Sequence, residues 1–175
     1  PFEVDFYKKH GISVSYYGNP LVDETEAKRR DLDNEDNIKE SLGLGGEPVI
    51  TMLAGSRKQE VRYILPPMLK AVKHFPGYRF VLAAVDNIPE EFYRKIMGDT
   101  DVTMISGKTY ELLKISEAAL VKSGTSTLEA ALMNIPQVVC YAGDLISFVL
   151  ARMVVKIKYI SLVNIILGRE TVREL

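Results

Sequence analysis

The sequence is poor in the residues that build disulfides and metal centres. It has one cysteine, Cys140, and two histidines, His10 and His74. A single thiol excludes an internal disulfide, and Cys140 lies inside the apolar run 137–141, so we interpret it as a small core residue. The histidines have no partners at metal-ligand spacing. The sequence therefore implies no metal, and we expect no cofactor.

Net charge and long apolar segments are also lacking. The 22 basic and 23 acidic residues leave a formal charge of −1, which provides no long-range field for nucleic acid, so any anion must be bound locally. The most apolar stretch, 145–167, is interrupted by Arg152, Lys156 and Lys158. It has no uncharged run near the roughly 20 residues that a bilayer span requires. We interpret it as a buried helix, with a face for another domain or subunit and a lipid-facing surface as alternatives.

The beginning of the chain shows no signal-peptide pattern and no initiating methionine, since the first residue is Pro1. We therefore expect either a processed product or a part of a longer protein. With 175 residues and 47% hydrophobic residues, the chain has enough apolar surface for the core of a single domain.

Short apolar runs alternate with helical patterns along most of the chain, which predicts an α/β fold with a Rossmann-like parallel sheet covered by helices on both faces. The predicted strands are 49–53, 80–84, 102–105, 118–121 and 137–141, with a possible further strand at 13–17. The predicted helices are 35–42, 59–73, 89–97, 110–115, 126–133 and 145–155. Pro66 and Pro67 should break or restart the second of these helices, and the charged stretch 23–37 is interpreted as a surface loop.

Two glycine-containing turns each follow a predicted strand and open a helical pattern. They are LAGSR at 53–57 and KSGTSTLE at 122–129. Parallel strands place such turns at one edge of the sheet, where free backbone N–H groups can receive phosphate. Arg57 adds a guanidinium for phosphate, and Glu129 adds a carboxylate for sugar hydroxyls. The pattern predicts a nucleotide diphosphate site, with candidate residues Gly55, Ser56, Arg57, Gly124, Thr125, Ser126 and Glu129.

The first glycine turn and Glu129 each have a simpler interpretation when taken separately. The first turn is compatible with an ordinary strand-to-helix connection capped by Ser56, and Glu129 with a solvated carboxylate. The first turn lacks the further glycines of a dinucleotide site and the Lys-Ser/Thr of a P-loop, which disfavours NAD and ATP. A D-x-D metal motif at 99–101 would lie at the wrong end of the sheet, so we interpret it as a solvated turn.

These motifs resemble the lipid-A-disaccharide synthase family, and the likeness runs nearly end to end. The matching segments are PFE at 1–3 with Phe6 and Tyr7, GNPLVD at 18–23, LAGSR at 53–57 with Glu60 and Val61, SGTSTLE at 123–129, PQVV at 136–139 and NIILGRE at 164–170. The resemblance implies one half of a GT-B double-Rossmann fold. It also implies an inverting glycosyltransferase that joins UDP-2,3-diacylglucosamine to lipid X.

By this resemblance the chain is the carboxyl-terminal, donor-binding portion, inactive by itself. Residues 1–20 would be the interdomain crossing and first strand, 21–37 a charged loop, and 38–175 the UDP-sugar domain. The amino-terminal acceptor domain, its general base and the last helices would be absent. Arg57 would stabilise the leaving diphosphate, and Glu129 would hold sugar or ribose hydroxyls. Asn164 would line the same cleft, and Ser106 with Gly107 would contact uracil.

The resemblance further implies a homodimer as one possibility and a peripheral location at the cytoplasmic face of a Gram-negative inner membrane. Two departures from the family pattern are Ala142-Gly143-Asp144, which puts one phosphate contact in doubt, and Val163 in place of a proline. The same donor half is compatible with a UDP-N-acetylglucosamine 2-epimerase or another GT-B enzyme. A nucleotide-sugar binding module without chemistry is the alternative outside enzymes.

Overall fold

The computed structural model describes residues 2–141 and 159–175. Its centre is a six-stranded sheet with the order β3-β2-β1-β4-β5-β6, in which every recorded strand pair is parallel. The strands are β1 Val49–Leu53, β2 Arg79–Ala84, β3 Thr103–Ser106, β4 Ser116–Lys122, β5 Gln137–Cys140 and β6 Arg173–Glu174. The five predicted strands of the sheet core are thus confirmed, and the α/β fold class with them.

The helices connect these strands in the alternating order that a parallel sheet requires. They are α1 Phe2–Lys9, α2 Pro20–Asp31, α3 Glu35–Ser41, α4 Lys58–Val72, α5 Glu90–Met97, α6 Thr109–Lys114, α7 Ser126–Leu132 and α8 Leu162–Leu167. The predicted helix 145–155 and the departure at 142–144 lie outside the described residues. Within the described part of the chain, no helix has the length and apolar character needed to cross a bilayer.

Two hydrophobic clusters cover the two faces of the sheet. Successive residues of a strand point to opposite faces, so Val49 and Leu53 join one cluster while Ile50 and Met52 join the other. The first cluster packs the sheet against α6 and α7, and the second packs it against α4 and α5. All five β1 residues are buried, which explains why this strand reads as a continuous apolar run.

The interpretation of 23–37 as a surface loop is wrong, because α2 and α3 occupy most of it. Asparagine caps start both helices: Asn19 accepts a hydrogen bond from the Leu21 N–H at 3.1 Å, and Asn34 accepts one from the Asn37 N–H at 2.9 Å. Each helix buries one side chain, Thr25 in α2 and Ile38 in α3. The expected strand at 13–17 is also wrong, since these residues form neither strand nor helix.

Pro66 and Pro67 do not interrupt α4, contrary to prediction. Proline removes the N–H that would bond to the carbonyl four residues earlier, here the carbonyls of Arg62 and Tyr63. Both of these residues are exposed, so water can satisfy their carbonyls. The buried side of the helix, which includes Ile64 and Leu65, holds the segment against the sheet.

Candidate functional site

An open cleft of about 730 Å³ lies beyond the carboxyl ends of the central strands. It is lined by the turn after β1, the start of α4, the turns after β2 and β3, the end of α2, and the turn from β4 into α7. This is the edge at which open parallel sheets bind their ligands. The sheet order makes β1 and β4 direct neighbours, so the two glycine turns meet across the cleft.

Most of the predicted site residues line this cleft. The ones that do are Gly55, Ser56, Arg57, Gly107, Gly124, Thr125, Ser126 and Glu129. Ser106 is exposed at the end of β3 but is not part of the lining, and Asn164 lies elsewhere. The convergence of the two turns is therefore present in the structure, while the ligand contacts of these residues stay predictions.

The first turn is shaped by Gly55 and Glu60. Gly55 has a φ of +108°, which disfavours any residue with a side chain. A Cβ at this position would lie 2.7 Å from Oε2 and 2.9 Å from Cβ of Glu60. The Glu60 carboxylate bends back over the turn and accepts a hydrogen bond from the Ser56 N–H at 3.0 Å. One backbone N–H of this turn is thus already engaged by a carboxylate and is not free for phosphate.

Arg57 stands at the amino end of α4 with an extended backbone and a side chain that is 82% exposed. Its Nη1 lies 3.8 Å from Oε1 of Glu60, which is an ion pair beyond hydrogen-bond distance. A guanidinium held this loosely can turn toward an anion in the cleft without breaking a hydrogen bond to Glu60.

The hydroxyl groups of the second turn do not all face the cleft. Thr127 donates to the Gly124 carbonyl at 2.7 Å, and Ser123 donates to the Ile160 carbonyl at 3.2 Å. Thr125 and Ser126 line the cleft. Two of these four hydroxyls therefore serve the fold, and the other two are placed to meet a ligand.

Glu129 is oriented by Tyr110, which sequence reasoning did not single out. The Tyr110 hydroxyl donates to Oε1 of Glu129 at 2.9 Å, and both side chains line the cleft. Burial, reinforced by the neighbouring Glu129 carboxylate, raises the pKa of Tyr110 to about 12. The phenol is therefore a permanent donor at neutral pH, and it fixes a carboxylate that can accept hydrogen bonds from sugar hydroxyls.

A second pair, Glu60 and Lys122, joins the two glycine turns. The Lys122 ammonium at the end of β4 donates to Oε1 of Glu60 at 2.9 Å. Burial alone would raise the pKa of Glu60, but the hydrogen bonds from Lys122 and the Ser56 N–H outweigh it and lower the pKa. Glu60 is ionised at neutral pH. In the sequence, Glu60 belongs to the segments that carry the family resemblance and Lys122 opens the second turn, but nothing there indicates that the two residues pair.

The cleft is not uniformly basic. Its charged lining consists of Lys28, Arg57 and Lys122 against Asp31, Glu60, Glu111 and Glu129. Lys28 and Asp31 were missed because α2 had been interpreted as a loop. An anionic ligand must therefore be placed by local donors, since the charge of the cleft as a whole does not attract it.

The D-x-D segment lies at the opposite edge of the sheet, before β3 begins, as the sequence indicated. The Thr100 hydroxyl donates to the Met97 carbonyl at 2.8 Å, and Asp101 lies 3.8 Å from Nη1 of Arg79. No group of three or more His, Cys, Asp or Glu side chains suited to a metal ion occurs within 2–141 and 159–175.

Burial raises the pKa of the Cys140 thiol, in keeping with its place beside the second cluster.

Asn164 does not line the cleft, and this corrects the expectation taken from the resemblance. Its side chain is completely buried and holds the end of the described chain together. Oδ1 accepts from the N–H groups of Thr171 at 2.7 Å and Val172 at 3.0 Å. Nδ2 donates to the Val172 carbonyl at 2.8 Å and to Glu174 at 2.7 Å. This network ties α8 to β6, the edge strand that sequence analysis missed.

Replacing Asn164 with alanine is expected to lower the free energy of unfolding by about 2–3 kcal/mol, because several buried polar groups lose their partner. Denaturant unfolding of the variant measures this loss. UDP affinity, measured under conditions where the variant is folded, should stay within about twofold of the unsubstituted chain. A selective loss of UDP affinity without a loss of stability would restore Asn164 to the binding site.

The sheet and its cleft define a Rossmann-like α/β domain of the kind that forms half of a GT-B enzyme. UDP-GlcNAc 2-epimerase from Neisseria meningitidis, in a structure bound to UDP-GlcNAc, superimposes with a TM-score of 0.51 at 18% identity, covering 84% of this chain and 42% of that one. A putative UDP-N-acetylglucosamine 2-epimerase from Listeria monocytogenes gives 0.50 at 20% identity, covering 73% and 36%. At these identities the similarity shows the fold alone.

The particular family follows from the sequence comparisons. The family model described as lipid-A-disaccharide synthetase matches residues 1–175, and the chain belongs to this family. Lipid-A-disaccharide synthase of Myxococcus xanthus is 36% identical over 182 residues, and that of Anaeromyxobacter dehalogenans strain 2CP-C is 39% identical over 183. Each alignment covers 100% of this chain and 46% of the relative, so the chain spans about half the length of these relatives.

Proposed function

We propose that this chain is the donor-nucleotide portion of a glycosyltransferase of lipid A biosynthesis, which joins UDP-2,3-diacylglucosamine to lipid X. The observation that carries the proposal is the meeting of the two glycine turns in one cleft, with Arg57 and Glu129 in its lining. Membership of the family supports the same reaction. The chain spans 46% of its relatives, and we propose that the acceptor site lies in sequence corresponding to their remaining part.

The reaction that we propose is a displacement at the anomeric carbon of the donor sugar. The primary hydroxyl of the acceptor forms the new C–O bond, the bond between the anomeric carbon and the diphosphate breaks, and the configuration inverts. The hydroxyl proton passes to a general base outside this chain, and UDP carries away the electron pair of the broken bond. The share of this chain is to bind the donor and to stabilise the charge that develops on UDP.

The positions of the charged and hydroxyl side chains in the cleft support one orientation of the donor. The diphosphate would lie at the first turn, within reach of the Arg57 guanidinium and the hydroxyls of Ser56, Thr125 and Ser126. The Glu129 carboxylate, held by Tyr110, would accept hydrogen bonds from the sugar or the ribose. Gly107, directly after β3, would face the uracil, with Ser106 beside it as a weaker candidate.

The acylated substrates of the proposed reaction also favour a particular cellular location for the protein. We propose that the protein acts at the cytoplasmic face of the inner membrane as a peripheral protein, with a homodimer as a possible assembly. Attachment would let the enzyme collect both acylated substrates from one surface. Separation of membrane and soluble fractions of the host cell tests this part of the proposal.

Calorimetric titration of the chain with UDP, ATP and NAD tests the nucleotide assignment. We expect saturable binding of UDP in preference to the other two, because the first turn lacks both dinucleotide and P-loop patterns. Arg57→Ala should weaken UDP binding about tenfold or more, the loss typical of a charge-assisted phosphate contact. Arg62→Ala, on the exposed side of α4, is the matched control and should bind as before. Preferential binding of ATP or NAD, or no binding of UDP, contradicts the proposal.

A further inference from the structure

Lys122 occupies a position that the proposed binding mode does not use. It is the last residue of β4 and the first of the second glycine turn, and its ammonium reaches across to Glu60 on α4. A Cβ added to Gly124 would lie 3.6 Å from Nζ of Lys122, so the ammonium sits against the backbone of the second turn. The cation therefore lies at the junction of the two turns.

The burial of this pair distinguishes it from the other ion pairs of the described chain. The side chains of Lys122 and Glu60 are 27% and 19% exposed, whereas Arg57 is 82% exposed. An ion pair with little exposed surface is screened less by salt and fixes its geometry better than a surface pair. The Lys122 ammonium is thus a positioned charge, while the Arg57 guanidinium is a mobile one.

The ionised Glu60 creates an electrostatic difficulty for a diphosphate at the first turn. Its carboxylate accepts the Ser56 N–H, so it stands where a phosphate oxygen would otherwise bind. A second anion beside it would be repelled unless a cation lies between the two. Lys122 meets this need, because an ammonium has three N–H donors and the contact with Glu60 uses one of them.

We propose that Lys122 is a further diphosphate-binding residue, held at the junction of the two turns by Glu60, which acts as a positioning residue. This inference rests on the proposed function, since it assumes that the cleft takes a nucleoside diphosphate. Lys122 and Arg57 then flank the diphosphate from its two sides. Lys122 donates to phosphate oxygens from β4, and Arg57 closes on them from the start of α4.

Two substitutions of Lys122 separate its charge from its packing. Lys122→Gln retains a donor for Glu60 but removes the positive charge, and Lys122→Arg retains the charge. In calorimetric titration we expect Lys122→Gln to weaken UDP binding about tenfold or more and Lys122→Arg to stay within about threefold. Lys95→Gln, on the exposed side of α5, is the control and should match the unsubstituted chain.

The salt dependence of UDP affinity, and a comparison with uridine, show whether the lost affinity comes from contacts with the phosphates. The affinity for UDP should decrease less steeply with added salt in Lys122→Gln than in the unsubstituted chain, and binding of uridine should be the same in both. A purely structural lysine would change both ligands alike and leave the salt slope unchanged. Thermal unfolding of each variant confirms that the comparison is made between folded proteins.

The outcomes separate this inference from the function on which it rests. If the unsubstituted chain binds UDP and Lys122→Gln binds it within twofold, Lys122 is no diphosphate ligand and the proposed function still stands. If the unsubstituted chain fails to bind UDP, the proposed function is wrong and the assignment of Lys122 is wrong with it. Should Lys122→Gln fail to fold, a tenfold weaker affinity in Lys122→Met supports the assignment, and an unchanged affinity overturns it.

Discussion

Replacement of Arg57 by alanine in the intact protein is expected to lower kcat/KM by roughly 10²–10³-fold, the loss seen when one preorganised donor to a developing negative charge is removed, or about 2.7–4 kcal/mol. In the proposed reaction, the diphosphate leaves with a negative charge that grows in the transition state. The guanidinium is a planar, permanently charged donor, and it stands free enough to follow that charge. Steady-state kinetics with UDP-2,3-diacylglucosamine and lipid X measure the effect.

Two further variants show whether the loss comes from the guanidinium itself. Arg57→Lys should recover only part of the activity, because an ammonium restores the charge without the two parallel donors. Arg62→Ala removes an arginine one turn further along α4, where it lies over the Phe92 ring, 5.9 Å from the ring centroid. It should keep kcat/KM within about twofold. Equal activity of Arg57→Ala and the unsubstituted enzyme would remove Arg57 from the mechanism.

The sheet could be predicted from the sequence because its strands are buried on both faces. A strand such as β1, with every residue buried, leaves a continuous apolar run that few other structures produce. The turns at the carboxyl edge of the sheet could be predicted for a related reason. Glycine and hydroxyl residues directly after a buried strand are typical of turns whose backbone binds a ligand. Topology then brought β1 and β4 together without any signal in the local sequence.

The polar helices could not be predicted because few of their residues contact the core. In α2, Thr25 is the one buried residue recorded; the helix begins at its Asn19 cap and packs against α6 and α7. Apolar periodicity, the main signal for a helix, is therefore missing. The two-residue strand β6 is too short for any pattern, and Leu175 beside it bonds to the backbone of β5.

The site was predicted in outline but not in its internal contacts. A sequence shows that Glu129 follows a glycine turn, yet the Tyr110 hydroxyl that orients it comes from another helix. Glu60 and Lys122 are 62 positions apart, and only the pairing of β1 with β4 joins them. Asn164, a motif residue carried over from the family, is a buried amide bonded to the end of the described chain and is not among the residues that line the cleft.

Gly55→Ala is expected to lower the free energy of unfolding by about 2–6 kcal/mol, the largest stability loss that we predict. Two costs combine at this position. A φ of +108° strains a residue that has a Cβ, at about 1–3 kcal/mol, and the new methyl group would press into Glu60, with an overpacking cost of about 1–3 kcal/mol. Denaturant unfolding with a constant m-value gives the difference directly.

Gly45→Ala is the matched control, because nothing lies within 4 Å of the position that its Cβ would take and its φ is outside the left-handed region. It should be neutral or stabilising by up to about 1 kcal/mol. Glu60→Gly removes both close contacts, with Oε2 and with Cβ of Glu60, but not the strain at position 55, so Gly55→Ala should cost less stability in a chain that already carries Glu60→Gly. If the loss of stability in the double variant equals the sum of the losses in the two single variants, Glu60 is not the residue that requires glycine at position 55. The close approach of backbone to carboxylate would then have no part in shaping the turn.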